Sequence, residues 1–111
     1  MLTVTSKFQL NELKQKQNRL EFEQIVNSNY INMYADMVGA LEYQAEKAGY
    51  SKDDIEGSTE YKVLIASEEY FEDRNHAIDT ELDVLDDEIK NFNSLHQNSV
   101  KGDTEFWCFG G

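Results

Sequence analysis

The chain has 111 residues and a formal net charge of −12, with 22 acids against 10 Lys plus Arg, no proline and one cysteine. That length admits one small domain or one element of an assembly, and excludes a multilayered enzyme around a deep site. The charge excludes direct binding to a nucleic-acid backbone, which would be repelled, and a lone cysteine excludes an intrachain disulfide framework. No apolar run approaches the ~20 residues of a membrane span, so no membrane insertion is expected. The opening residues, Met1 to Phe8, hold no continuous apolar stretch of the kind a cleavable secretory signal needs. The expected location is cytoplasmic, or exported without a conventional signal peptide.

Without proline, long uninterrupted helices are permitted. The first is predicted over about 6–48. Leu10, Leu13, Gln17 and Leu20 step by three, four and three. The apolar stripe then widens to Phe22, Ile25, Val26, Tyr30, Met33, Tyr34, Met37, Leu41 and Ala45. A wide stripe suits a helix that touches more than one neighbour; the alternative is a drift from a coiled-coil to a globular period. Asn27, Ser28 and Asn29 form a weak spot, where the helix either continues, kinks or divides.

Gly49 and Gly57 bracket a connection over about 49–57. Ser51, with Asp54 three residues on, can start a short turn there, and Ser58 can cap the helix that follows.

The second helix is predicted over about 58–98 and carries the stronger pattern. Tyr61, Leu64, Glu68, Phe71, Asn75, Ile78, Leu82, Leu85, Ile89, Phe92 and His96 alternate steps of three and four, and eight of these eleven are apolar or aromatic. That is the 3.5-residue repeat of a coiled-coil interaction seam, flanked by a charged, solvated face. Glu68 and Asn75 interrupt the seam. Polar residues at such positions fix register at some cost in stability; the alternative is that both lie at a thin, exposed part of the pair.

A non-helical tail is predicted over about 99–111, released by Gly102. It ends in Phe106, Trp107, Cys108 and Phe109, an unusual density of aromatics for a terminus. Phe106, Trp107 and Phe109 are expected to anchor, either beside Leu10, Leu13, Phe92 or Leu95 on the same chain or in a partner's groove. A loose end left by processing is the remaining reading.

Charge favours an antiparallel pairing. Residues 1–50 hold five bases and six acids, a net of −1, and residues 51–111 hold five bases and sixteen acids, a net of −11. Reversal near residue 53 would set Lys14, Lys16 and Arg19 beside Asp83, Asp86, Asp87 and Glu88. The predicted fold is therefore all-α: a single-domain antiparallel two-helix hairpin with coiled-coil packing and a short tail.

Nothing in the sequence assembles chemistry. Asp79, Asp83 and Asp87 share a helix face, but a solvated acidic face explains them, and no calcium-loop spacing occurs. The acids between Ser51 and Gly57 likewise do not match such a loop. His76 and His96 are too far apart to share a metal, and Cys108 has no cation beside it to make a thiolate. No catalytic, cofactor or metal residue and no small-molecule substrate is expected. Two functions follow as expectations. One is a non-enzymatic structural or interaction protein that self-associates into a homo-oligomer. The other is an acidic adaptor or chaperone-like module for a basic protein partner.

Overall fold

A computed structural model describes the backbone of residues 4–110 and the side-chain surroundings of residues 6–94. The fold is all-α, with two long helices, α1 (Val4–Lys47) and α3 (Thr59–Gly110), joined by the short α2 (Lys52–Glu56). The chain divides into two units. One holds the chain up to Glu21 together with the chain from Asp79 onward; the other is Phe22–Ile78.

Local chemistry explains the connection. The backbone N–H of Tyr50 reaches the carbonyl of Ala45, and that of Gly49 reaches Glu46, both at 3.0 Å. Such paired bonds close a helix through a left-handed residue. Gly49 fills that position at φ 88°, where a side chain would be strained. Gly49→Ala is expected to destabilise the protein by about 1 kcal/mol, read as a lowered midpoint in urea unfolding. Ser51 then caps α2, its Oγ accepting from the Asp54 N–H at 3.2 Å. Ser58 caps α3 in the same way, accepting from the Tyr61 N–H at 3.2 Å while its hydroxyl donates to the Ile55 carbonyl at 2.7 Å. Ile55 is the buried residue of α2 and shares a cleft with Leu41 and Ala45 of α1.

In the Phe22–Ile78 unit, α1 and α3 lie side by side and antiparallel. Glu23 and Gln24 bond to Arg74 and Asn75, while Tyr30 and Tyr34, further along α1, stack on Phe71, further back along α3. Phe71 is the centre of an aromatic cluster. Its ring lies 4.9 Å from Tyr30 and 6.0 Å from Tyr34, both near parallel, and meets Tyr70 edge-on at 5.1 Å. Such ring pairs each add about 0.5–1.5 kcal/mol beyond the area they cover. Ile78 is fully buried. In the other unit Leu20, Leu85 and Ile89 are buried, and Phe92 shares an open cleft with Leu13, Lys16 and Arg19.

One alternative the sequence left open is decided and two expectations are corrected. First, at Asn27–Asn29 α1 continues as one helix of 44 residues, as the predicted span of about 6–48 required. The Asn27 side chain finds a partner on α3 and so does not compete with its own backbone. Second, α3 runs on to Gly110, so helix two does not end near 98 and the backbone of 99–110 is not a non-helical tail. A single Gly102 costs a helix only about 1 kcal/mol, and no proline follows to stop the ladder. The expected anchoring of Phe106, Trp107 and Phe109 concerns side chains outside the described residues, as does the place of His96. Third, the cross-helix ion pair is not the expected one. Among the described residues Lys14, Lys16 and Arg19 form no ion pair with Asp83, Asp86, Asp87 or Glu88; Lys90 turns back one helical turn to Asp86 at 2.8 Å. Exposed lysines gain too little from one fixed geometry to hold it across two helices.

Candidate interaction site

Cover along α3 follows a 3.5-residue step. Ile78, Leu85 and Ile89 are buried, and Tyr61, Leu64, Phe71, Leu82 and Phe92 are half-buried. Glu68 is half-buried too, and among the described residues it makes no hydrogen bond across to α1. Its charge adds to that of Glu56 and Glu42 around Tyr61. Burial, with those three carboxylates behind it, pushes the Tyr61 phenol above its ordinary value, so it stays protonated to higher pH.

Asn75 behaves differently. Its Oδ1 accepts from Asn27 Nδ2 at 3.0 Å, and its own Nδ2 donates to the Gln24 carbonyl and to Ser28 Oγ, each at 3.3 Å. Gln24 Nε2 returns a bond to the Asn75 backbone carbonyl at 3.2 Å. Asn27 is the one buried polar residue among those described, only 5% exposed. The two helices thus share a polar layer in which the Asn75 amide both donates and accepts while the Asn27 and Gln24 amides donate to Asn75. At the edge of this layer Arg74 grips Glu23 with two bonds, Nε to Oε1 at 2.8 Å and Nη2 to Oε2 at 3.1 Å.

That hydrogen bonding to Arg74 holds the Glu23 carboxyl below the usual glutamate value, against a smaller opposing effect of desolvation, with the attraction of the guanidinium charge adding to the lowering. A lowered folded-state value means the stabilisation is present above the unfolded glutamate range and is lost as pH falls through the folded value. Carboxyl NMR is expected to show Glu23 titrating below a typical glutamate. Arg74→Gln is expected to move Glu23 up toward the ordinary value and to remove that part of the acid sensitivity.

Glu23, Gln24 and Arg74 were not singled out from sequence, and Asn27 was read only as part of a weak spot in the helix. A signal was present. Most covered positions of α1, Leu10, Leu13, Gln17, Leu20, Gln24, Asn27, Ile31, Tyr34, Val38, Leu41 and Ala45, alternate steps of three and four, with Ser6, Glu23, Val26 and Glu42 half-buried beside them. The same tolerance for polar residues that carries the α3 repeat through Glu68 and Asn75 carries the α1 repeat through Gln24 and Asn27. Phe22, Ile25, Tyr30, Met33 and Met37, which the sequence placed in the widened stripe, are instead exposed.

The remaining chemical candidates sit apart. Asp79, Asp83 and Asp87 are exposed, as is His76. Among the described residues no three His, Cys, Asp or Glu side chains come together as a metal would need. Cys108 lies outside those residues. No helix among them is long and apolar enough to cross a membrane. No protein-family model matches this chain, and no curated protein or solved structure is significantly similar to it.

Proposed function

We propose that this chain is a non-enzymatic assembly protein, an antiparallel two-helix hairpin with coiled-coil packing that associates with further copies of itself. The observation that carries the reading is that α1 is apolar on two sides. One side meets α3 at Tyr34, whose ring stacks on Phe71, and includes the covered Ile31; the other leaves Phe22 and Ile25 at 66% and 60% exposure. A pair of helices has a thin core, so covering a second apolar face adds stability that the isolated pair lacks. Most acids among the described residues, by contrast, are exposed on helix faces, where water rather than an apolar wall surrounds a carboxyl, unlike the setting acid–base catalysis requires.

Sedimentation at low and high micromolar concentration tests this reading. Growth of the particle with concentration is expected. A compact monomer across the whole range overturns it.

A second reading is favoured by the exposure of Glu69, Glu72, Asp73, Glu81, Asp83 and Glu88 along the helix that carries most of the negative charge. Here the chain is an acidic adaptor for a basic protein partner, steered by its field. Capture of a basic protein that weakens with salt is the expected result for that reading. Capture indifferent to salt defeats it.

A further inference from the structure

We infer that the outward face of α1 between Phe22 and Met37, continued onto α3 by two side chains, is where a second copy of this chain docks, face to face across a twofold axis. This rests on the self-association reading above and names its surface.

The face is set by helix geometry. Covered positions in this part of α1 centre on 24, 27, 31, 34 and 38, with Glu23 and Val26 half-buried at the margin on the Met37 side. At 3.6 residues per turn, Phe22 and Met33 fall on the side opposite to them, with Ile25 beside. These three are 66%, 43% and 60% exposed, and Tyr30 and Met37 are open on one shoulder at 42% and 45%. The surface does not stop at α1. Val63 of α3 shares an open cleft with Met37, and Tyr70 stands edge-on to the Phe71 ring that stacks on Tyr30. All of these residues belong to the Phe22–Ile78 unit.

Area and charge choose the occupant. Together these exposed apolar groups present on the order of 700 Å², beyond the few hundred Å² that a soluble monomer usually leaves open. A standard interface covers about 800 Å² on each partner, so one copy of the face, covered once, approaches what a dimer interface buries. Residues 24–41 hold a single charge, Asp36, in a chain of net charge −12. A basic partner finds almost nothing to pair with there and is drawn to residues 51–111. Two copies, however, meet at the place where their mutual repulsion is least. A twofold contact sets like against like. Of the exposed polar residues on this face, Asn29 and Asn32 are amides that donate and accept at once, so each can bond to its own counterpart, and Asp36 is the one carboxylate among them.

The test uses the full chain in sedimentation equilibrium, with helix content followed by circular dichroism. The wild-type protein is expected to dimerise, and more tightly at higher salt, because salt screens the repulsion between two acidic chains. Ile25→Glu with Met33→Glu is expected to keep its helix content and to weaken dimerisation by about 100-fold or more, since each substitution is met twice across the axis. Val84→Glu, at a 52% exposed position in the other unit, is expected to leave dimerisation unchanged. As an independent measurement that removes no apolar contact, Asn29→Cys in a Cys108→Ser background is expected to form a disulfide-linked dimer on mild oxidation. A wild-type monomer at every concentration overturns both the surface and the self-association reading. A wild-type dimer that survives Ile25→Glu with Met33→Glu, or that yields no linked dimer from Asn29→Cys, overturns this surface and leaves self-association standing.

Discussion

Ile78→Ala is expected to lower the stability of the protein by about 3 kcal/mol, the middle of the range for removing three methyl-sized groups from a closed site. Ile78 is the largest side chain with no exposure at all among the described residues. Its neighbours on two rigid helices can close on the space only partly, so a cavity term adds to the lost transfer energy. A loss of that size is a large fraction of the ~5–15 kcal/mol that holds a typical domain together. Urea unfolding followed by circular dichroism measures it. Val84→Ala is the control. Val84 also sits on α3 but is 52% exposed, and alanine is the better helix former, so its midpoint should be unchanged or slightly raised. Equal losses at the two positions would mean that the seam through Ile78 is not the packed side of α3.

The polar layer should respond in the opposite sense to single and paired replacement. Asn75→Ala leaves the buried Asn27 amide without its acceptor and removes the second donor to the Gln24 backbone carbonyl, and is expected to cost about 1–3 kcal/mol. Asn27→Leu alone is expected to cost a similar amount, because Asn75 Oδ1 then faces a methyl group. Asn27→Leu with Asn75→Leu removes both halves together. The double variant is expected to recover most of the loss and to equal or exceed the wild type, since an apolar layer needs no hydrogen-bond partners. A double-mutant cycle from urea unfolding reads the difference directly.

Stability is only half of that prediction. A repeat of apolar layers permits the helices to slip by one seven-residue repeat, whereas a lone amide pair satisfies its bonds in one alignment. Spin labels at the exposed positions Asn29 and Glu72, in a Cys108→Ser background, are therefore expected to report one narrow distance in the parent. In the double leucine variant they should report a broadened or second distance. A narrow, unchanged distribution would show that the aromatic cluster around Phe71 sets the alignment by itself.

How much of this was legible in the residues differs from element to element. Gly49, Ser51 and Ser58 announced the end of α1, the start of α2 and the start of α3, because each acts through bonds to backbone atoms no more than five residues away. The absence of proline and the 3.5-residue repeat from Tyr61 to Phe92 determined an all-α chain and the covered side of α3, since its other faces are densely charged and only one side can leave water. α1 offered no such contrast. Its uncharged stretch around residues 24–35 is apolar or polar without charge on every side, so the local pattern ranked Phe22, Ile25 and Met33 level with Tyr34 and left Ile31 out of the stripe. Only the tertiary structure decided between them. The hydrogen bonds of Asn75 reach Gln24, Asn27 and Ser28 across 47 to 51 residues of sequence, and they go with Gln24 and Asn27 turned inward and the larger apolar side chains out. The same long-range partner explains why Asn27 does not break α1. An amide that would otherwise compete for its own helix backbone is satisfied from the neighbouring helix, a choice made by a contact that no local stretch of sequence contains.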